Sequence, residues 1–182
     1  MTELPPLELG PMPASREMAT VDERLVHAPL AAIFALATDV ERWPAILSHY
    51  KYVRFQERRR DGGGIVDMSA NRPFGLIQWP TWWRSKMQVL MPTAGSPSIR
   101  FSHIAGVTSG MEVEWTFGET STGTHVRILH LWNGPKVPVV GSAAATIVIG
   151  PVFVHGIASR TLEGLAKHAE RGTIGTANRQ QA

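Results

Sequence analysis

Between Tyr50 and Trp132 apolar and polar residues alternate with a period of two, interrupted at intervals by glycine and proline. This alternation predicts β-strands with one dry face and one wet face. Strands are expected over residues 50–60, 63–72, 81–92, 97–106, 110–120 and 123–132, with turns at the Gly62–Gly64 run and at Pro92–Pro97, Gly106–Gly110 and Gly118–Gly123. Short turns between consecutive strands imply an antiparallel meander. Parity sorts the faces. Trp83, Ser85, Met87 and Val89 oppose Arg84, Lys86 and Gln88. Ile99, Phe101 and His103 oppose Arg100 and Ser102. Met111, Val113, Trp115 and Phe117 oppose Glu112, Glu114 and Thr116, and Val126, Ile128, His130 and Trp132 oppose Arg127. One face is therefore charged and wet. The other is apolar, with Ser85, His103 and His130 embedded in it, and an antiparallel sheet with a dry face needs a cover.

Before the meander, residues 18–29 read as a strand. Pro29 suits the first turn of a helix, where its missing N–H is not needed, and Leu30, Ile33, Phe34 and Ala37 then share a face. Asp39 is placed to break that helix, and "DVERWPAILS" reads as a second short helix. The cover comes from the other end of the chain. The 23 residues between Lys136 and Arg160 carry no formal charge, which is long enough to cross a bilayer. Pro138, Gly141, Gly150, Pro151 and Gly156 interrupt the run, however, and His155 sits within it. Beyond it Val154, Ala158, Leu162, Leu165 and Ala169 face one way and Arg160, Glu163, Lys167 and Glu170 the other. An amphipathic helix from near Pro151 to Gly172 is expected, not a transmembrane span.

Composition narrows the classes. Of the 182 residues 43% are hydrophobic and 18% charged, as in an ordinary globular domain. The absence of cysteine excludes disulfides and thiolate chemistry and fits a reducing, cytoplasmic compartment. The N-terminal segment has neither a basic start nor an apolar run, so no signal peptide is expected. Its prolines and lack of period suggest a loose tail over 1–17, with a second over 173–182 and one domain over 18–172. Net charge is +3. The densest basic run, "ERRRDGGG", reads as a hairpin tip with arginines in solvent, not as a nucleic-acid surface. No His/Asp/Glu cluster has metal-ligand spacing, "DGGG" opens no helix as a dinucleotide loop would, and no Gly-x-Ser-x-Gly elbow occurs. No metal or cofactor is expected. The segment "RPFGLIQWP", Arg72 to Pro80, groups Phe74, Leu76, Ile77 and Trp79 in what reads as a loop, a candidate gate over a cavity mouth and a candidate contact for a membrane or a carrier protein.

Strand, two short helices, six-stranded meander and long C-terminal helix make an α+β helix-grip layout: a curved antiparallel sheet of about seven strands wraps the last helix and leaves a cavity. The runs "DVERWPAILSHY", "WRSKM", "GMEVEW" and "GPVFVHGIASRTLEGLAKHAE" carry a resemblance over about residues 18 to 172. They resemble the START-like superfamily, and within it the polyketide aromatase/cyclases and the coenzyme Q-binding, polyketide-cyclase-like proteins of bacteria. The resemblance implies a hydrophobic ligand in the cavity. It places Tyr50 where those cyclases carry a tyrosine after the Trp-Pro pair. It also aligns Trp83 and Ser85 with a Trp-x-Ser-x-Arg run whose arginine faces the cavity, and here Met87 stands at the arginine position. The expected ligand-binding set is Tyr50, Trp83, Ser85, Met87, His103, Trp115, His130 and Trp132. Two classes of function stay open. One is a non-enzymatic carrier for a lipid, quinone or similar molecule. The other is an aromatase/cyclase that closes rings on a linear polyketide. Met87 favours the first, because an arginine could hold an enolate or phosphate oxygen and a methionine cannot.

Overall fold

The computed structural model describes residues 4–74, 77–91, 95–134 and 156–173, with side chains for all of these except 72–74 and 77–79. Strand β1 (Met18–Val26) leads into helix α1 (Leu30–Thr38), a 3-10 turn (Val40–Arg42) and the short helix α2 (Trp43–Ile46). Then come β2 (Tyr50–Arg58), β3 (Gly64–Phe74), β4 (Ile77–Leu90), β5 (Ser98–Gly106), β6 (Glu112–Thr120) and β7 (Gly123–Trp132). Helix α3 spans 156–173. The seven strands form one curved antiparallel sheet in the order β1-β7-β6-β5-β4-β3-β2. The meander supplies β2 to β7, and β1 closes the far edge against β7, with Met18 opposite Trp132 and Val26 opposite Thr124.

Parity decides which side is dry, as expected. Along β4, Trp83, Ser85, Met87 and Val89 are buried, while the residues between them are partly or fully exposed. The inner faces of the strands join α1, α2 and α3 in one core, to which α3 contributes Ile157, Leu162, Leu165, Ala166 and Ala169. Its opposite side carries Arg160, Glu163 and Lys167 in solvent, and Glu163 and Lys167 pair at 2.5 Å in the favourable i,i+4 order. The helix docks closely because Gly164 faces Leu47, where a Cβ would strike the leucine side chain. Gly172, expected to end the helix, lies inside it. Among the described residues no helix is long and apolar enough to cross a membrane. Residues 136–155, the greater part of the uncharged stretch, lie outside the described residues.

Three expectations need correction. The segment Arg72 to Pro80 is not a plain loop: β3 and β4 run on through it as a hairpin arm, pairing Arg72 with Trp79 and Phe74 with Ile77. β2 pairs with β3 only as far as Ala70, and β5 pairs with β4 only as far as Trp83. Among the described residues the arm has no strand beside it, so Pro73 and Pro80 remove donors that no ladder there uses. Secondly, the outer face is not wet throughout. Residues 4–17 cross it: the Arg60 N–H donates to the Leu4 carbonyl at 3.1 Å, Arg100 Nη1 to the Gly10 carbonyl, and the Glu17 N–H to Asn133 Oδ1 at 3.2 Å. Arg100 is consequently only 4% exposed, paired with Glu112 at 3.4 Å. Thirdly, Arg59 at the hairpin tip is not in solvent. It pairs with Glu57 and donates to the Pro5 carbonyl at 3.2 Å.

Candidate ligand-binding cavity

A cavity of about 60 Å³ lies between the inner face of the sheet, α2 and the first turns of α3. Besides Phe101 of β5, the lining brings together Trp43 from α2, Tyr50 at the start of β2, Trp83 from β4 and Trp115 from β6. They touch in series. Trp43 meets Tyr50 edge-on at 5.2 Å and Trp115 at 5.9 Å, and Tyr50 reaches Trp83 at 6.3 Å between ring centroids. Met68 and Met111 fill the gaps, and Ile157, Ala158 and Thr161 of α3 form the roof. The described lining contains no carboxylate, lysine or arginine.

Polar atoms reach this apolar space in two groups. At the β4–β5 side, His103 stacks on Trp83 at 6.0 Å and its Nδ1 lies 2.6 Å from Thr108 Oγ1, with His130 of β7 also lining the wall. At the α3 side, Thr161 is a hub. Its hydroxyl donates to the Ile157 carbonyl at 2.8 Å, and its oxygen lies 3.0 Å from His49 Nε2 and 3.3 Å from the Tyr50 hydroxyl. With the threonine proton directed to the helix carbonyl, the oxygen accepts from His49 Nε2–H, and its contact with the Tyr50 hydroxyl is a hydroxyl–hydroxyl pair. His49 is 5% exposed. Burial, and secondarily the positive charge of Arg160, lower its pKa from 6.5 to about 4, so the ring is neutral at neutral pH.

Of the eight ligand-binding residues expected, Tyr50, Trp83, His103, Trp115 and His130 line this cavity, and Ser85, Met87 and Trp132 do not. Face and cavity are different properties. Ser85 is fully buried one pair further along β4, opposite His103 at a β-bulge, and its Oγ has no hydrogen-bond partner among the described residues. Met87 is buried between Gly64 and Phe101 on the flanking strands. Trp132 is buried outside the lining, its indole N–H bonded to the Ser109 carbonyl at 3.1 Å. Met87 thus packs in the core beyond the cavity wall. Leu76 and the side chains of Phe74, Ile77 and Trp79 lie outside the described residues.

Sequence reasoning missed Trp43, His49, Thr108 and Thr161. His49 precedes Tyr50 and so has the wrong parity for the inner face. It is drawn in because α3 crosses the start of β2, a contact with Thr161 that is 112 residues distant in sequence.

A curved antiparallel sheet gripping a C-terminal helix over an aromatic cavity is the helix-grip, START-like fold. The chain belongs to the polyketide cyclase / dehydrase and lipid transport family, whose model matches residues 26–152. Among solved structures it is similar to the Zhui aromatase/cyclase from Streptomyces sp. R1128 (TM-score 0.63, 15% identity, covering 85% of this chain and 94% of that one). A START superfamily protein from Mycobacterium smegmatis matches with TM-score 0.62 at 14% identity, over 84% of this chain and 97% of its own. A STAR-related lipid transfer protein from Xanthomonas axonopodis matches with TM-score 0.57 at 14% identity, over 87% and 89%. At these identities the likeness is one of fold.

Proposed function

We propose that this chain binds an uncharged, largely apolar small molecule, such as a lipid, an isoprenoid quinone or a polyketide-like ring system, between the sheet and α3. The observation that carries this reading is the lining itself: tryptophan, tyrosine and methionine side chains with no formal charge among the described residues. An ionic ligand would lose its hydration there and find no counter-charge, whereas apolar surface gains about 25 cal/mol for each Å² buried. Tyr50 and His103 supply polar atoms at opposite sides, enough to orient one carbonyl or hydroxyl. The family's own description, which includes lipid transport, agrees with this class of ligand.

The cavity of about 60 Å³ has room for about two waters, so ligand entry requires the lining to rearrange. Met68 and Met111 are suited to this, since unbranched side chains change rotamer with little strain. Native mass spectrometry of the purified protein, followed by titration with an isoprenoid quinone read by tryptophan fluorescence, tests the reading. Saturable quenching in the micromolar range, weakened by Trp115→Ala, is expected. Quenching by a charged analogue as strong as by the neutral one would refute it.

A second reading rests on the Tyr50–Thr161–His49 chain. Tyr50 is held by a neutral imidazole through a threonine hub, an arrangement able to donate a proton to a ketone oxygen of a polyketide presented by a carrier protein. Incubation with a carrier-bound poly-β-ketone tests it: ring closure redirected by wild type and lost in Tyr50→Phe would establish a cyclase.

A further inference from the structure

The turn that joins β5 to β6 sends one side chain inward. From Ile104 to Gly110 only Thr108 is buried, at 1% exposure, while Ile104 and Val107 lie open to solvent. The turn is tied down on both sides. The Val107 N–H donates to the Trp82 carbonyl at 3.2 Å, and the Gly110 N–H to the His103 carbonyl at 2.8 Å. Within it the Ser109 N–H donates to the Gly106 carbonyl at 3.2 Å and the Met111 N–H to the Thr108 carbonyl at 3.1 Å. The Trp132 indole N–H holds the Ser109 carbonyl from β7 at 3.1 Å. Gly106 and Gly110 bound the turn at φ +87° and +84°, a conformation that residues with a Cβ rarely adopt. This frame brings Thr108 Oγ1 to 2.6 Å from His103 Nδ1.

That contact decides which ring nitrogen of neutral His103 carries the proton. A neutral imidazole has one N–H and one bare nitrogen. Thr108 Oγ1 has no other hydrogen-bond partner among the described residues. With the proton on Nδ1, the ring would donate to Oγ1, and the hydroxyl proton of a buried threonine would have no acceptor among those residues, an arrangement that folded proteins avoid. With Nδ1 bare, the hydroxyl donates to it and the threonine is satisfied. The second arrangement leaves the proton on Nε2. The ring is held in orientation as well, because it stacks on Trp83 at 6.0 Å and 16°. It cannot turn over without giving up the bond to Thr108. Both His103 and Thr108 line the cavity.

We infer that Thr108 is a positioning residue that presents His103 to the cavity as an Nε2–H donor, and that the ligand carries a carbonyl oxygen on the side where His103 stacks on Trp83. The inference rests on the cavity reading and narrows it. A carbonyl oxygen only accepts, which is what an Nε2–H donor requires. A ligand hydroxyl at the same place would bring a proton that this ring cannot accept, into a wall whose described residues include no carboxylate. A site built for one hydrogen-bonding pattern discriminates against the other because a buried polar group is left unpaired. Thr108 acts through His103, by fixing which nitrogen holds the hydrogen.

Two measurements on the full chain test it. The first needs no ligand: long-range proton–nitrogen NMR spectra of the histidine rings, recorded at mildly alkaline pH where imidazoles are neutral, with His103 assigned by the signals missing from His103→Phe. A protonated Nε2 and a bare Nδ1 are expected, and the reverse pattern overturns the inference. The second is tryptophan-fluorescence titration with fluorenone and fluorenol, neutral probes of one carbon skeleton that differ in the hydrogens at the oxygen. Wild type is expected to prefer the ketone. That preference, taken as the ratio of the two affinities, should fall about fivefold in Thr108→Val and return in Thr108→Ser, which restores the hydroxyl. A merely structural role for Thr108 would shift both affinities together and leave the ratio alone. An unchanged ratio in Thr108→Val, or a wild type that prefers the alcohol, overturns the inference and leaves the cavity reading intact. A wild type that takes neither probe overturns the cavity reading and the carbonyl preference with it, and the ring spectra then decide the role of Thr108 by themselves.

Discussion

His49 makes the stability of this protein depend on pH in a defined window. In the unfolded chain the imidazole takes up a proton as pH falls below 6.5, its ordinary value. In the fold it resists until about 4, chiefly because burial disfavours the charged ring and secondarily because Arg160 repels it. Between these values the unfolded state binds more protons, so stability is complete above pH 6.5 and is lost as pH falls toward 4. A shift of this size corresponds to about 3 kcal/mol over the window, with about 2 kcal/mol of it lost by about pH 5. Against a total of about 5–15 kcal/mol for a domain, that is a measurable fraction. The perturbation is His49→Gln, whose amide N–H can still donate to Thr161 but does not titrate. Urea unfolding of wild type and variant, repeated from above pH 6.5 down toward pH 4, isolates the contribution as the difference between the two curves. The variant is expected to be less stable than wild type at neutral pH and to approach it as pH falls. Two profiles that stay parallel throughout would show that His49 is not held neutral by its surroundings, and the reasoning from burial would fail.

Thr161→Val keeps the shape of the hub but removes its oxygen, leaving His49 Nε2 and the Tyr50 hydroxyl without it; a loss of about 1–3 kcal/mol is expected in thermal or urea unfolding, and a loss near zero would mean that water replaces the hub. Met87→Arg restores the residue type at the motif position, yet Met87 is fully buried away from the cavity. The variant should be destabilised by several kcal/mol and gain no binding of anionic ligands, whereas a folded variant that binds them would show that the β4 register is wrong. Arg100→Leu breaks the hold on Gly10, and limited proteolysis should then cut within residues 4–17 faster than in wild type, with no change if the segment is anchored by its other contacts alone.

Much of the architecture was legible in the sequence because it depends on local periodicity. Alternation along 81–92, 110–120 and 123–132 identified β4, β6 and β7 and their dry faces, since a strand has one way to bury every second residue. Spacing of three and four in 157–169 identified the helix face that packs on them. Local pattern also misled. Arg72 to Pro80 reads as a loop, and nothing nearby in sequence says that the strands beside it stop at Ala70 and Trp83. Nor does any periodicity mark residues 4–17, whose place on the outer face is set by scattered backbone bonds to Arg59, Arg60 and Arg100.

The site was legible only in part, and the reason is geometric. Parity assigns a residue to a face, so Trp83, Ser85 and Met87 were indistinguishable in sequence. Where along β4 the space opens depends on where α3 crosses, and that puts Trp83 on the wall and Met87 in the core. Likewise Tyr50 was visible from its motif, but His49 and Thr161 were not, because one has the parity of a surface residue and the other reads as one more helical position between Arg160 and Leu162. By itself the sequence determined the strands, the covering helix and the aromatic, uncharged character of the inner face. The tertiary structure alone decided which of those residues meet, because a contact between β2 and α3 is a property of the closed fold and leaves no local signature in either segment.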